Sequence, residues 1–234
     1  MGVNAISDLE IIKNGFDFSY LLGLLKGIIP SLVCITLHEL SHGLVAYRLG
    51  DNTAKRAGRL TLNPLKHLDP IGLLMMLTVH FGYAKPVPVN MNNFKNPKRD
   101  MAITALAGPV SNVLITIVFL FLYGALFLPL QKGAVGKYIL EMLELTAYIS
   151  MGYAIFNILP VPPLDGSKVL FSVLDDSSYR KLMRYERYGG LILMALVWSG
   201  VLGTPLSNLI RRAYMSLVPI AQWTCDMVFK LFYK

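Results

Sequence analysis

The sequence LHELSHG, Leu37 to Gly43, lies inside one of the most apolar stretches of the chain. The surrounding run, Gly27 to Leu49, is long enough to cross a bilayer, because a span takes about 20 mostly apolar residues. Ionisable side chains inside a span are costly, at about 2.5 to 3.5 kcal/mol for each charged group on insertion scales. Two histidines and a glutamate at this position therefore predict a functional site in the first membrane helix.

The composition of the chain also indicates a membrane protein. Its 234 residues are 54% hydrophobic and 15% charged, with a mean hydropathy of +0.52, which is more apolar than an ordinary soluble domain. The net charge is +8, but the basic residues are grouped in short loops between apolar runs, so we expect no nucleic-acid partner. Cys34 and Cys225 are far apart and predict neither a disulfide framework nor a CxxC metal site.

Four more apolar runs follow the first: Met101 to Leu130, Leu145 to Leu164, Tyr188 to Ile210 and Ala213 to Tyr233. The last is predicted either to span the bilayer or to lie on its surface, because charged residues interrupt it. These runs predict an all-α polytopic membrane protein with about four to six transmembrane helices. Without an internal repeat or a long soluble stretch, we expect one membrane-embedded domain over residues 1–234, with C-terminal helices at 188–233.

The basic residues also predict the orientation of the chain. Most of them lie between the first two spans, from Arg48 to Arg99, and after the third span, from Lys168 to Arg187. The positive-inside rule places both regions in the cytoplasm, so we expect a multi-pass protein of the cell membrane whose active site opens toward the cytoplasm. Arg211 and Arg212 conflict with this scheme, because they would fall outside if the fourth span crosses fully.

The first basic region contains a short apolar segment, Pro70 to Ala84. Basic residues flank both of its ends on the same side, so we expect it to re-enter the membrane without crossing it. The next residues, KPVPVN from Lys85 to Asn90, carry prolines at alternate positions and are predicted to form an extended edge strand. A simpler interpretation is that these prolines only terminate the re-entrant segment.

His38 and His42 are four residues apart, so on a helix both imidazoles project from one face and can hold one metal ion. Glu39 follows the first of them and can reach a water molecule on that ion. Zinc in such a site lowers the pKa of its water toward neutrality, and the carboxylate accepts a proton as the water attacks a carbonyl carbon. The structural alternative is a hydrogen-bonded plug between helices.

A catalytic zinc ion takes a third protein ligand and keeps one position open. Asp165, in PPLDG at the end of the third apolar run, is one candidate. Glu141 and Glu144 share a helix face and could also bind metal, but the predicted topology places them at the far end of the third span. Three more residues have simpler predicted roles: Asp69 as a turn cap, and His67 and His80 as loop or interfacial histidines.

Three motifs in chain order resemble those of the site-2 protease family of intramembrane zinc metalloproteases, in its short form without PDZ or CBS domains. They are HELSHG on the first core helix, AGPVSN (Ala107 to Asn112) in the second, and NILPVPPLDG (Asn157 to Gly166) at the end of the third. Gly82 to Pro88 also resembles the family's membrane-associated hairpin, a short re-entrant β-hairpin region between the first two core helices. The resemblance covers residues 27–166, the expected catalytic core.

The resemblance implies that His38, His42 and Asp165 bind Zn²⁺. It further implies that Glu39 is the general base and that Asn157 hydrogen-bonds the substrate carbonyl or the developing oxyanion. An amide donor in a dry site suits that last role, although Asn157 could instead cap or pack against a neighbouring helix.

Asn112 has a predicted structural role. It follows Gly108 and Pro109, and a kink at the proline would free a backbone carbonyl that a nearby amide can satisfy. We therefore do not expect Asn112 to be catalytic.

The predicted activity is hydrolysis of a peptide bond in or near a transmembrane segment of another membrane protein in the lipid bilayer. Unwinding that segment leaves backbone groups unsatisfied in lipid, at several kcal/mol each. The strand that begins at Lys85 could replace the lost bonds by strand addition, because Val87 and Val89 keep their N–H groups.

Two other functions stay open from the sequence. In a membrane metalloprotease of the glutamate-ligand class, Glu141 would complete the histidine pair. A non-enzymatic zinc-binding or metal-moving membrane protein would need further ligands along a path, and the spans are otherwise nearly free of ionisable groups.

Overall fold

The computed structural model describes residues 18–70, 72, 84–175, 178, 188–197 and 199–232. His80 and almost all of the predicted re-entrant segment, Pro70 to Ala84, lie outside the described residues. The same is true of most of the basic loop before Tyr188, so the predictions for these parts stay untested.

Helices make up most of the described chain. We number them α1 (Phe18–Arg48), α2 (Thr53–Arg56), α3 (Pro97–Leu130), α4 (Ala134–Asn157), α5 (Asp165–Ser172), α6 (Tyr188–Val197) and α7 (Gly203–Phe232). Three of the described helices are long and apolar enough to cross a membrane: α1 from Lys26 onward, α3 and α4. The prediction of a helical membrane protein is confirmed in this form, while the exact number of spans is not tested.

The central helix of the described fold is α3, which packs against α1, α4, α5 and α7. Its contact with α7 is close at Gly124, where a Cβ atom would collide with the backbone of Ala221. Lipid provides no hydrophobic drive for helix association, so close packing of small residues has to stabilise such contacts. A cluster of buried side chains then joins α3, α4 and α7: Leu120, Ala147, Met151, Tyr214 and Ala221.

The third predicted span has different ends in the structure. It was expected from Leu145 to Leu164, but α4 begins at Ala134 and ends at Asn157. The earlier start is tolerated because Glu141 pairs with Lys26 of α1 at 2.7 Å, where both side chains keep solvent access. The earlier end agrees with the three prolines that follow, Pro160, Pro162 and Pro163, because closely spaced prolines remove several N–H donors and crowd the preceding turn.

The fourth predicted span, Tyr188 to Ile210, is not continuous. The helix α6 ends at Val197, and α7 begins at Gly203 and includes the separately predicted run from Ala213. Gly200 lies between them with φ +72°, a conformation that glycine adopts readily and other residues avoid. Gly200 and Gly203 therefore mark in the sequence the place where the helix is interrupted.

The break also changes the position of Arg211 and Arg212. Ile210 lies beside Gly152, five residues before the end of α4, and Tyr214 packs edge-to-face on Tyr148. The two arginines therefore lie near the carboxyl-terminal end of α4. The continuous run from Tyr188 to Ile210, on which the conflict with the charge rule depended, is interrupted at Gly200.

The two arms of the predicted hairpin region meet in the structure. Leu68 and Ala84 form an isolated antiparallel bridge, and the Lys85 N–H donates to the His67 carbonyl at 2.9 Å. The Arg59 guanidinium donates to the Lys85 carbonyl at 2.6 Å. Among the described residues this bridge is the only β-pairing, so the hairpin itself stays a prediction.

A buried carboxylate fixes the far end of this region to the end of α1. Asp51 is fully buried and accepts hydrogen bonds from the Asn90 N–H and the Asn93 side-chain amide, both at 2.7 Å. It also accepts from the backbone and hydroxyl of Thr53. Burial alone would raise the pKa of Asp51, but the bonds from Thr53, Asn93 and Asn90 together lower it below its ordinary value.

Replacing this carboxylate should loosen the region. We expect Asp51→Asn to lower the free energy of unfolding by about 1 to 3 kcal/mol, because an amide cannot accept all the bonds that the carboxylate accepts. Thermal unfolding of the detergent-solubilised protein measures the difference. The advantage of the wild type should persist down to pH 3.8, the ordinary pKa, and vanish as the pH falls through the lowered pKa. Equal stabilities at neutral pH would contradict this role.

Candidate metal centre

The two histidines of α1 lie together, as their spacing predicts. His38 and His42 are 7% and 8% exposed, and their Nε2 atoms are 3.0 Å apart. The two rings meet edge to face, so both nitrogens point at the same small volume. One face of α1 therefore presents two adjacent imidazoles that could bind a metal ion.

Asp165 completes the group from the first position of α5. Its Oδ2 lies 3.2 Å from Nε2 of His38 and 3.1 Å from Nε2 of His42. The turn after α4 brings it there, and Gly166 allows the close return, since a Cβ atom would collide with the carbonyls of Ile158 and Leu159. Burial would raise the pKa of the Asp165 carboxyl, but the two imidazoles hold it below its ordinary range.

The three donor atoms fit a tetrahedral zinc site. With metal–ligand bonds of about 2.0 to 2.1 Å, the ligand atoms of such a site are about 3.3 Å apart. The observed separations of 3.0 to 3.2 Å are close to that value. Catalytic zinc takes three protein ligands and leaves the fourth position to water or substrate. Two imidazole nitrogens and one carboxylate oxygen suit such a site.

The other sequence candidates lie elsewhere in the described structure. Glu141 pairs with Lys26, and 16 residues of helix, about 24 Å, separate it from Asn157. Asp69 accepts from the Gly72 N–H at 3.0 Å and caps a turn, as predicted. His67 is bonded through Nε2 to the Thr61 carbonyl, a loop role that was also predicted. His38, His42 and Asp165 are the one group among the described residues that could hold a metal ion.

One face of α3 supports both imidazoles, which sequence reasoning missed. The His42 Nδ1 lies 2.7 Å from the Thr104 carbonyl, and the His38 Nδ1 lies 3.1 Å from the Asn112 amide. Between them, Gly108 lies so close that a Cβ atom would collide with both rings. Thr104, Gly108 and Asn112 follow one another at a spacing of four residues, about one helical turn, so they lie on one face of α3. The AGPVSN motif contains Gly108 and Asn112.

Glu39 lies beside the group without joining it. Its Oε2 accepts a hydrogen bond from the Val87 N–H at 2.7 Å, so the segment after Ala84 contacts the carboxylate directly. The side chain of Val87 is buried, and Gly43 leaves space for Leu60 and Val87, since a Cβ at 43 would lie 2.5 Å from the leucine and 3.2 Å from the valine. Glu39 is thereby held at the edge of the candidate centre.

A cavity of about 550 Å³ opens beside these three side chains, His38, His42 and Asp165. Its walls include His38, Glu39, Val87, Asn157, Asp165 and Leu193 of α6. Asn157 ends α4 and donates its amide to the Tyr153 carbonyl of the preceding turn at 3.0 Å. The predicted base, the predicted oxyanion donor and the ligand group therefore face one space.

Comparison with known proteins agrees with these features. A model of Peptidase family M50 matches residues 130–200, which include Asn157 and Asp165. Three relatives carry the name "Putative zinc metalloprotease": YwhC of Bacillus subtilis, Rip2 of Mycolicibacterium smegmatis and MJ0611 of Methanocaldococcus jannaschii. No solved structure matches the chain.

The relative from Bacillus subtilis is 35% identical over 211 residues, which are 88% of this chain and 90% of that protein. Rip2 is 32% identical over 71% of this chain and 64% of its own length, and MJ0611 is 29% identical over 69% and 80%. Their shared name specifies zinc, and the chain carries a His–His–Asp group that could bind it. The chain belongs to peptidase family M50, the site-2 protease family.

Proposed function

We propose that this chain is a zinc-dependent intramembrane endopeptidase that hydrolyses a peptide bond in or near a transmembrane segment of another membrane protein. The observation that carries the proposal is the convergence of His38, His42 and Asp165 on one cavity, with Glu39 at its edge. Both histidines belong to a helix that can cross a membrane, so the chemistry would take place below the lipid surface. The relatives are named zinc metalloproteases, which supports zinc as the metal ion in this proposal.

His38, His42 and Asp165 would hold the zinc ion, which when bound activates water and polarises a carbonyl group. The packing of α3 supports this assignment. Gly108 makes room for both imidazoles, and Thr104 provides the carbonyl that directs the His42 ring, as the outer partners of metal-binding histidines do.

Glu39 would act as the general base. The Val87 N–H binds one oxygen of its carboxylate and fixes the side chain. The other oxygen is left to accept the proton from the attacking water, and Glu39 would then return that proton to the departing amine.

Asn157 would stabilise the negative charge that develops on the substrate carbonyl. Its amide lines the cavity and donates to the Tyr153 carbonyl of its own helix. A rotation of the side chain would redirect this donor into the cavity, where a dry environment strengthens a hydrogen bond to an oxyanion.

The segment Lys85 to Asn90 would receive the unwound substrate, at Lys85, Val87 and Val89. The backbone of Lys85 is already paired with His67 and Arg59, and the Val87 N–H is paired with Glu39. A substrate strand on this side would therefore pair at Val89, and the Val87 N–H would stay with Glu39. Strand addition would then place the substrate backbone beside the base.

We place the protein in the cell membrane as a multi-pass protein, with the cavity open toward the cytoplasm. The basic residues of the loops at this end of the helices support that orientation by the positive-inside rule. A metalloprotease of the glutamate-ligand class is less well supported, because Glu141 pairs with Lys26 and lies far along α4 from Asp165.

The role of Glu39 is tested by Glu39→Gln. We expect cleavage of a co-expressed membrane substrate to fall at least ~100-fold, because the amide cannot accept the proton, while the zinc content stays at the wild-type level. Cleavage is measured by comparing the membrane-protein fragments in cells that express the wild type or the variant. Zinc content is measured by elemental analysis of the purified proteins. Cleavage at the wild-type rate would refute the assignment of the base.

The third ligand is tested by Asp165→Asn against Glu141→Gln. The first variant should lose most of its bound zinc, because a neutral amide is a much poorer zinc ligand than a carboxylate. The second is the matched control, since it removes an acid that pairs with Lys26, and it should keep full zinc stoichiometry. The reverse pattern would assign the site to the glutamate-ligand class.

The space at Gly108 is tested by Gly108→Ala against Gly152→Ala. The added methyl group at 108 would displace both imidazoles, so we expect the zinc affinity to fall by at least ~10-fold. Gly152 is also a helical glycine, and a Cβ there meets only Ile210 at 3.9 Å, an ordinary contact. Zinc affinity from chelator competition should be unchanged in this control. Equal affinities for both variants would contradict the packing argument.

A further inference from the structure

We propose that Asn112 is a positioning residue that presents its side-chain oxygen to Nδ1–H of His38 and so orients this imidazole for the metal. The inference rests on the proposed function, in which His38 is a zinc ligand. It assigns a purpose to a buried amide of α3 that the mechanism does not use.

The surroundings of Asn112 exclude the structural role predicted from the sequence. Its backbone carbonyl accepts hydrogen bonds from the hydroxyls of Ser150, at 2.8 Å, and Thr116, at 3.0 Å. Pro109 frees the carbonyl of Ala105, four residues earlier, but the Asn112 amide lies at Nδ1 of His38 instead. The backbone is fixed by α3 and α4, while the side chain is directed to the metal centre.

The hydrogen-bonding capacity of the amide is only partly used. Asn112 is fully buried, its Nδ2 lies 3.1 Å from Nδ1 of His38, and its Oδ1 has no hydrogen-bond partner within the described part of the chain. In this orientation the buried oxygen makes no hydrogen bond, which is unfavourable. The same amide, turned by half a rotation, would place Oδ1 at the imidazole.

Zinc binding decides between these two orientations. A histidine that binds metal through Nε2 must leave that nitrogen unprotonated, so its proton lies on Nδ1. Nδ1–H is a donor and cannot pair with the donor Nδ2, whereas Oδ1 would accept from it. The orientation with Oδ1 toward His38 therefore lets the amide oxygen accept this proton and selects the tautomer that binds metal.

His42 shows the same arrangement with a different partner. Its Nδ1 lies 2.7 Å from the Thr104 carbonyl, which can only accept a hydrogen bond and so fixes the tautomer. Asn112 occupies the equivalent place for His38, two turns further along α3. Each imidazole thus has one acceptor on the same helix face, with Gly108 between them.

The test compares zinc affinities, measured by competition with a chromophoric chelator, for the full chain in detergent. Asn112→Leu has a similar size and no acceptor, and we expect it to bind zinc about 10- to 100-fold more weakly, as for other outer partners of metal-binding histidines. Asn112→Asp offers an acceptor in either orientation and should stay within about threefold of wild type on the same reasoning. Thr116→Val is the control, because this fully buried residue one turn away bonds backbone carbonyls and not the histidines.

A merely structural role would give a different pattern. It would lower the unfolding temperature of Asn112→Leu and Thr116→Val alike and leave the zinc affinity of both unchanged, which would overturn the proposal. Equal losses of affinity in Asn112→Leu and Asn112→Asp would also overturn it. If wild type itself binds no zinc, the proposed function fails instead.

A second readout needs no variant and applies even if Asn112→Leu does not fold. In zinc-loaded wild type with ¹⁵N-labelled histidine, we expect the ring of His38 to carry its proton on Nδ1, protected from solvent exchange. A zinc-loaded His38 without a proton on Nδ1, or with one that exchanges rapidly, would contradict the hydrogen bond to Asn112.

Discussion

The described structure depends on the close contact between α1 and α3 at the paired imidazoles of His38 and His42. Two bulky polar rings can lie between packed membrane helices only where the facing helix has no side chain, and Gly108 provides that gap. On either side of it, Thr104 and Asn112 contact the outer nitrogens of the rings. A bilayer offers no water to satisfy these groups, so the neighbouring helix has to do so.

Two connections bring further residues to this contact. The turn after α4, closed by the approach of Gly166 to Ile158, places Asp165 within 3.2 Å of both histidines. The segment after Ala84 approaches from the other side and donates the Val87 N–H to Glu39. Asp51, fully buried at the end of α1, binds the far end of that segment. The two imidazoles therefore have Asp165 on one side and, on the other, the segment of Val87 with Glu39.

The sequence predicts the centre well because helical spacing is a local property. A spacing of four residues from His38 to His42 places both on one helix face, and the cost of ionisable groups in an apolar run indicates a function there. The ends of α4 and the division between α6 and α7 were predicted less well. Glu141 keeps solvent access and pairs with Lys26 of another helix, and apolar composition alone does not show that Gly200 takes a positive φ.

The contribution of α3 could not be derived from its own sequence. Nothing in α3 itself shows that Gly108 and Asn112 face His38, because that depends on how two distant helices pack. The spacing of four residues from Thr104 to Gly108 to Asn112 becomes meaningful only beside the histidine pair. In the same way, the Val87 N–H looked free in the sequence, and its bond to Glu39 appears only when the segment is placed against α1.

The most direct test of the account is anomalous X-ray diffraction at the zinc absorption edge from crystals of the purified full chain. The account predicts one strong peak about 2 Å from Nε2 of His38, Nε2 of His42 and a carboxylate oxygen of Asp165. An ordered centre without a peak in zinc-loaded crystals, or a peak at Glu141 with Asp165 turned away from the histidines, would contradict it.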